Sequence, residues 1–164
     1  MQSNAVTSKM FRGVFAADQI PDSLDPLPAG CIINTDPQNL PGHHWVALYQ
    51  TTPDVLETFD SYGKDLHFYS SEHFSQLAKR HRIISQMHQL QSPTTTVCGQ
   101  YCMFFLLRRA SMEPYSHIIH LFTDNKSSND SMVCQYVNHH FDLQTEVQDL
   151  EFLASQMAKT IEDL

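Results

Sequence analysis

The sequence predicts an α+β fold in which a central mixed sheet packs against one buried helix. Three short runs rich in β-branched and aromatic residues follow one another in the first half of the chain, each bounded by turn residues, which is typical of strands. In the second half, the run from Cys98 to Ala110 is apolar nearly all round, which indicates a helix buried on more than one side. The 164 residues and 41% hydrophobic content suit one compact domain, residues 1–164, with a sizeable core.

The first half contains most of the predicted strands. Residues 1–30 include three prolines, so we expect them to be mostly irregular apart from a short helix near residues 6–11. The three apolar runs that follow are the predicted strands, residues 31–34, 44–49 and 55–59. The polar stretch between the second and third runs contains a proline and predicts a hairpin turn. His44 and Asp60 should then lie near the same end of adjacent antiparallel strands.

The second half is more helical. Its predicted elements are, in order, a helix at residues 70–79, a strand at 82–87, a loop at 92–96, the buried helix at 98–110 and a last helix at 150–161. Between the last two, Asn129 or Asp130 is predicted to cap a helix that runs through Val137, because short polar side chains favour the position before the first helical turn.

Charge and targeting signals exclude several classes of function. Ten Lys and Arg residues against 18 Asp and Glu residues give a formal net charge of -8, so no general basic field attracts nucleic acid or anionic lipid. No run approaches the roughly 18 to 20 apolar residues of a membrane span, and no basic region followed by an apolar run opens the chain. We expect a protein that is neither secreted nor membrane-bound. Its four scattered cysteines are expected to be free thiols.

Four residues with catalytic chemistry occur in one order along the chain. His44 lies in Gly-His-His-Trp-Val-Ala-Leu, Asp60 in Phe-Asp-Ser-Tyr-Gly, and Gln91 seven residues before Cys98, which opens the buried helix. A helix N-terminus together with an imidazolium lowers the pKa of a thiol, so Cys98 is placed to become a thiolate with His44 as the base. Asp60 would orient the imidazole. Gln91 and the Cys98 N–H would stabilise an oxyanion.

Each of these residues also has a structural interpretation. A cysteine in an apolar helix is commonly a small buried hydrophobe, and Asp60 before Ser-Tyr-Gly is typical of an Asx turn. Gln91 alone is an ordinary loop glutamine. The neighbouring His43 is an alternative base, and we favour His44 because Trp45 follows it directly.

The ordered set resembles the adenain-like cysteine proteases, the family of the adenovirus maturation protease. The similarity includes the adenain-like proteases of Polinton, adintovirus and adomavirus elements and, more distantly, the SUMO and ubiquitin-like-protein proteases. His44-Trp45, residues 59–63, Gln91 and Cys98-Gly99 carry it, and residues 11–21 and 33–35 are also similar to the start of the smaller viral enzymes.

The resemblance implies a fold and a role for each residue. The fold is a papain-like core in permuted order, with histidine before cysteine. Cys98 is implied to be the nucleophile, His44 the general base, Asp60 the orienting carboxylate and Gln91 the oxyanion donor. Trp45 is implied to support the oxyanion pocket through its backbone. Adenain carries glutamate where this chain carries Asp60, whereas the SUMO proteases carry aspartate.

The resemblance also implies a function and its setting. We expect a monomeric cysteine endopeptidase that cleaves viral capsid and core precursors at glycine-containing sites during virion maturation, in the virion and in the host nucleus or cytoplasm. A deSUMOylase-like or deubiquitinase-like isopeptidase is the alternative, and a noncatalytic interaction module on the same fold is a third hypothesis.

Cofactors are expected to play no part in the chemistry. Adenain is stimulated by DNA and by a viral peptide that can attach through a disulfide, but the acidic charge and the absence of cysteine between Cys31 and Cys98 argue against both modes here. An activating peptide would instead add noncovalently to a sheet edge. A metal site built from His117, His120, Cys134, His139 and His140 is disfavoured, because their spacing matches no zinc pattern.

Overall fold

The computed structural model describes residues 9–69 and 71–141. Five strands form one mixed sheet in chain order, and they are β1 Phe11–Phe15, β2 Ala29–Asn34, β3 Trp45–Thr52, β4 Val55–Phe59 and β5 Arg82–Ser85. The two outer pairs, β1 with β2 and β4 with β5, are parallel, whereas β2, β3 and β4 form an antiparallel centre. The helices are α1 Glu72–Arg80, α2 Cys98–Ala110, α3 Tyr115–Ile119 and α4 Lys126–Phe141, and a 3-10 turn spans Leu66–Phe68.

Helices cover both faces of the sheet. Alternate residues of β3 point to opposite sides, as the pleat of a strand requires. Ala47 and Tyr49 belong to the core under α2 and α4, whereas Val46 and Leu48 belong to the core under α1. Because α2 lies between β3 and α4, it is buried on two sides, which explains its apolar sequence. The predicted α+β class is confirmed, and the mixed sheet packed against a helix that begins at Cys98 fits a papain-like core.

The strand β1 was not predicted. The sequence suggested an irregular N-terminal region, but Phe11 opens a half-buried edge strand that pairs parallel with β2. The register shifts between Phe11 and Val14, where Gly13 adopts a φ of 122°. This irregularity removes the alternating pattern that identifies a strand. Of the helix predicted near residues 6–11, residues 6–8 lie outside the described part of the chain, Lys9 and Met10 are helical, and Phe11 is in β1.

The predicted caps of α4 are also wrong. The helix begins at Lys126, and the Oδ1 atom of Asn125 accepts a hydrogen bond from the Ser128 N–H at 3.1 Å, so Asn125 is the capping residue. Asn129 and Asp130 lie inside the helix and are buried. The short helix α3 had no sequence prediction. The helix predicted at residues 150–161 lies outside the described part of the chain, and the single-domain assignment stays a prediction.

Across residues 9–69 and 71–141, no helix combines the length and the apolarity that a membrane crossing needs.

Candidate active site

The central strand pair brings His44 and Asp60 together. His44 immediately precedes β3 and Asp60 immediately follows β4, and the antiparallel pairing of these strands places the start of one beside the end of the other. The Nε2 atom of His44 lies 2.8 Å from Oδ1 of Asp60. Both side chains are buried, with 8% of His44 and 4% of Asp60 exposed. The predicted proximity of the two residues is confirmed.

A tight turn fixes the Asp60 carboxylate. The Tyr62 N–H donates to Oδ1 of Asp60 at 2.7 Å, and the Gly63 N–H donates to the Asp60 carbonyl at 2.9 Å. Gly63 has a φ of 68°, and a Cβ atom there would lie 2.5 Å from the carbonyl carbon of His88. Only glycine meets both requirements at this position, so the turn is specified by the Asp-Ser-Tyr-Gly sequence.

Two tyrosines complete the surroundings of the imidazole, and sequence reasoning assigned a role to neither. The Tyr69 hydroxyl donates a hydrogen bond to Oδ2 of Asp60, while the Tyr62 ring lies with its centroid 4.7 Å from that of His44. Tyr62 lies in the Phe-Asp-Ser-Tyr-Gly motif that contains Asp60, and this position could have indicated that Tyr62 lies near the site. Tyr69 follows the 3-10 turn, nine residues after Asp60, and no local pattern identifies it.

The Cys98 thiol lies at the first residue of α2, with 8% of the residue exposed. Burial raises the pKa of this thiol, but hydrogen bonds from His44 and from the Trp45 and Gly99 N–H groups, with the charge of His44, lower it overall. The positive end of the helix dipole acts in the same direction. Cys98 therefore has the environment of a thiolate.

His44 has the complementary shift. Burial lowers its pKa, but hydrogen bonds to Asp60 and Cys98 and the negative charges of both outweigh burial and raise the pKa to about 9. No hydrogen bond of ordinary geometry forms at the buried Nδ1 atom among the described residues, which leaves this nitrogen for the neighbouring Cys98 thiol. The two opposite shifts favour a thiolate and an imidazolium as a pair, and the two groups titrate together.

The other cysteines provide an internal contrast. Burial raises the pKa of Cys31 to about 12, and burial likewise raises the pKa values of Cys102 and Cys134. Cys102 lies one turn after Cys98 in the same helix, so the difference comes from the neighbours of each thiol.

Gln91 lies in a buried loop tied to the Asp60 turn. Its Oε1 atom accepts from the Ser61 hydroxyl at 2.7 Å, and its backbone N–H donates to the Ser61 carbonyl at 3.1 Å. Its Nε2 atom donates to the Thr95 carbonyl at 2.8 Å. The remaining contacts of Nε2, to the Thr95 and Tyr62 hydroxyls, are long at 3.4 and 3.5 Å. One of its two N–H groups therefore has no strong partner among the described residues.

The two neighbouring histidines have different surroundings. His43 is exposed, and its Nδ1 atom lies 2.7 Å from Oδ2 of Asp36. His44 alone joins the cluster with Asp60 and Cys98. Trp45 opens β3 and directs its N–H toward the Cys98 sulfur. The structure thus brings together His44, Asp60, Cys98 and the Trp45 backbone, and it connects Gln91 to them through Ser61.

An open groove of about 410 Å³ adjoins this cluster at Tyr69. It is lined by Ala17, Asp18, Thr35, Asp36, Pro37, Phe68, Tyr69, Ser71, Glu72 and His73. Because Tyr69 also binds Asp60, the groove and the cluster share a side chain.

The alternative metal site has no counterpart in the described part of the chain. There, no group of three or more His, Cys, Asp and Glu side chains is arranged to hold a metal ion. His117 instead lies 3.2 Å from Oε1 of Glu113.

Sequence comparison places this cluster in context. No protein-family model matches the chain. Over 92 residues the chain is 35% identical to the protease of Bovine adenovirus C serotype 10. This match covers 48% of the chain and 46% of the relative. Over this part of its length the chain resembles the adenain-like proteases. The recognition drawn from its motifs is thereby confirmed, and the chain spans less than half the length of this relative.

Two solved structures are also similar to the chain. The ASFV pS273R protease is 26% identical with a TM-score of 0.39, and the match covers 62% of this chain and 39% of that one. The central domain of the uncharacterized Lpg1148 protein from Legionella pneumophila is 16% identical with a TM-score of 0.45, over 85% of this chain and 94% of that domain.

Proposed function

We propose that this adenain-like chain is a cysteine endopeptidase with Cys98 as nucleophile, His44 as general base and acid, and Asp60 as the orienting carboxylate. One observation carries the proposal. A single buried imidazole is bound to Asp60 through Nε2 and keeps Nδ1 free of other hydrogen bonds among the described residues, and the neighbouring Cys98, which opens a buried helix, raises the pKa of His44. This is the constellation that activates a thiol for nucleophilic catalysis.

In the proposed acylation step, the Cys98 thiolate attacks the carbonyl carbon of the scissile amide and forms a C–S bond. The carbonyl electrons move to oxygen and then return as the C–N bond breaks, while the leaving amine takes a proton from His44. A thioester on Cys98 and a neutral His44 remain. Water then gives a proton to His44 and attacks the thioester, so the acid product leaves and the thiolate and imidazolium are restored.

The transient oxyanion would be stabilised by the Gln91 side chain and the Cys98 N–H, with support from the Trp45 backbone. The second N–H of Gln91 has only long contacts, so it is available to a substrate oxygen. Donors that are fixed before the reaction stabilise developing charge without reorganising, and Ser61 and Thr95 fix the Gln91 amide.

The proposed substrates are viral structural precursors, including capsid and core proteins, cut at glycine-containing sites during virion maturation. The sequence similarity to an adenovirus protease supports this choice. The groove at Tyr69 would receive part of the substrate. We place the reaction in the virion and in the host nucleus or cytoplasm, with the enzyme as a monomer.

No cofactor is proposed for the chemistry. If a viral peptide stimulates the enzyme, we propose that it adds noncovalently to an edge of the sheet, where β1 and β5 are the outer strands. Activation by DNA is not proposed, because the net charge of -8 opposes polyanion binding.

A ubiquitin-like-protein isopeptidase is the second candidate function. The presence of Asp60, rather than glutamate, at the orienting position favours it, because the resemblance there is to the SUMO proteases. The chemistry at Cys98 would be the same for either substrate, and only the recognised protein would differ.

Incubation with two classes of substrate tests these proposals. Purified protein and its Cys98→Ala variant are mixed with viral precursor capsid proteins and, separately, with ubiquitin-like fusions. We expect the wild type to cleave the precursors and the Cys98→Ala variant to leave them intact. Cleavage of the fusions alone would favour the isopeptidase, and equal products from Cys98→Ala would contradict both.

A further inference from the structure

The helix α4 carries two buried polar residues that hold the loop containing Gln91. Asn129 is 2% exposed and Asp130 is 7% exposed. The Asn129 Nδ2 atom donates to the Leu90 carbonyl at 3.0 Å and to the Thr123 carbonyl at 2.8 Å. The residue immediately before Gln91 is therefore attached to α4.

Asp130 attaches the other side of the same loop. Its carboxylate accepts from the Thr95 hydroxyl at 2.9 Å and from the Tyr101 hydroxyl at 2.9 Å. The Ser92 N–H lies 3.3 Å from both of its oxygens. All these donors are neutral, and within the described residues Asp130 forms no salt bridge. Burying a carboxylate without a cation is costly, so its contacts with this loop indicate a specific use.

The contacts lead directly to the proposed oxyanion donor. Thr95 donates its hydroxyl to Asp130 and accepts the Gln91 amide on its carbonyl, at 2.9 and 2.8 Å. Asp130 thus fixes the residue that fixes the Gln91 side chain. Tyr101, the third residue after Cys98 in α2, binds the same carboxylate, so one anion connects the Gln91 loop to the helix of the nucleophile.

We propose that Asp130, assisted by Asn129, is a positioning residue that sets the Gln91 amide relative to Cys98 during turnover. This inference rests on the proposed cysteine protease function. It assigns α4, which contributes no residue to the reacting cluster, a role in the rate of the chemical step.

The first test compares two reactions of Cys98 in the Asp130→Asn variant, which keeps the side-chain size but loses the charge and one acceptor oxygen. We expect kcat on a peptide amide to fall about 10-fold, a part of the roughly 10²- to 10³-fold that loss of a whole oxyanion donor costs, with KM unchanged. The rate of Cys98 alkylation by iodoacetamide should stay at the wild-type value, because alkylation develops no oxyanion. Equal losses in both reactions, or an unchanged kcat, would overturn the proposal.

A matched control and a second variant keep this test decisive. Glu57→Gln also removes a buried carboxylate, but Glu57 pairs with Arg109. This substitution should therefore lower the melting temperature without a selective loss of kcat in the folded protein.

Thr95→Val removes the hydroxyl donor and keeps Asp130 bonded to Tyr101 and Ser92. It should reproduce the selective loss of kcat even if Asp130→Asn does not fold, and a wild-type kcat in Thr95→Val would refute the role of this contact.

A double-mutant cycle separates this inference from the proposed function. If Asp130 acts through Gln91, Asp130→Asn should cause no further loss of kcat in a Gln91→Ala background, because residues that share one role are non-additive. A full additional loss would exclude positioning through Gln91. If Gln91→Ala alone kept the wild-type kcat, the oxyanion assignment itself would fail. If Gln91→Ala lowered kcat and Asp130→Asn did not, only the positioning role of Asp130 would be rejected.

Discussion

Two clusters of buried ionisable side chains lie between the sheet and α2, one at each end of the helix. At its start, Cys98 meets His44, which is bound to Asp60 after β4. Near its end, Arg109 meets Glu57 of β4, with Nε 2.7 Å from Oε2 and Nη2 3.0 Å from Oε1. Arg109 is eleven positions after Cys98 in the helix, a rise of about 16 Å.

The two clusters differ in the partner of the cation. The Arg109 guanidinium has a carboxylate beside it, the Tyr49 ring 4.4 Å from its central carbon, and the Glu113 carbonyl on Nη1. The His44 imidazole has the Asp60 carboxylate on Nε2 and, among the described residues, no hydrogen-bond partner on Nδ1, and its other charged neighbour is the Cys98 sulfur. A paired, hydrogen-bonded charge contributes to structure, whereas an anionic sulfur with free lone pairs can attack a substrate. Reactivity in this fold therefore comes from the cluster in which a thiol, rather than a carboxylate, lies beside the cation.

The largest expected loss of activity, which tests the contrast between the two clusters, is at Cys98. Cys98→Ala and Cys98→Ser should abolish peptide hydrolysis while circular dichroism and the melting temperature stay near wild type, because a small residue fits at the helix start. Cys102→Ser should retain hydrolysis, since the Cys102 pKa is raised by burial and the thiol stays protonated. Equal loss of turnover from both positions would remove the distinction between the two thiols.

The next effect separates the two histidines. His44→Ala should lower kcat by about 10²- to 10⁴-fold, the usual contribution of a general acid and base. His43→Ala should have little effect, because the exposed His43 contacts Asp36 and lies outside the cluster. Steady-state kinetics on one glycine-containing peptide give the ranking, and a reversed order would place the base at His43.

A smaller loss is expected at Gln91. Replacing the amide by alanine should lower kcat by about 10²- to 10³-fold, as for other single oxyanion donors, while iodoacetamide still labels Cys98 at the wild-type rate. Single-turnover measurements of acylation would detect the residual activity. Acylation as fast as in the wild type would exclude Gln91 from the oxyanion site.

The smallest effect on turnover is expected at the other end of α2. Arg109→Ala leaves the Glu57 carboxylate buried and unpaired, which should cost about 3 to 5 kcal/mol in the free energy of unfolding. The kcat of the folded fraction should stay close to wild type. Chemical denaturation and active-site titration measure the two quantities separately, and a large loss of kcat per folded molecule would show that the two clusters are coupled.

Sequence patterns predicted the parts of this architecture that are encoded locally. The helix from Cys98 to Ala110 and the strand from Val55 to Phe59 have the predicted bounds, because a change from polar to apolar residues or a turn marks each end. The edge strand β1 escaped prediction, since Gly13 interrupts its register. A local sequence pattern predicts a helix or strand correctly where no irregularity interrupts that helix or strand.

The supporting residues could not be predicted in the same way. Asp130 has the residue type of a helix cap, yet its partners Ser92 and Thr95 are 38 and 35 residues away in the sequence. Tyr69 reaches Asp60 only because the 3-10 turn returns the chain to the sheet. Such contacts depend on the packing of distant segments, which no spacing in the sequence records.

The most direct measurement is the rate of Cys98 alkylation by iodoacetamide as a function of pH, in the wild type and in His44→Ala, with each cysteine followed by mass spectrometry. The His44 pKa is raised to about 9, so the imidazolium persists up to that pH and keeps Cys98 ionised below the pKa of about 8.5 of a free thiol. We expect fast, selective labelling of Cys98 at near-neutral pH, with peptide hydrolysis falling as pH rises through about 9. In His44→Ala the labelling curve should move to higher pH, because the hydrogen bond and the charge of His44, which both lower the Cys98 pKa, are then lost. A wild-type curve that follows a free thiol and does not change in His44→Ala would contradict the thiolate–imidazolium pair.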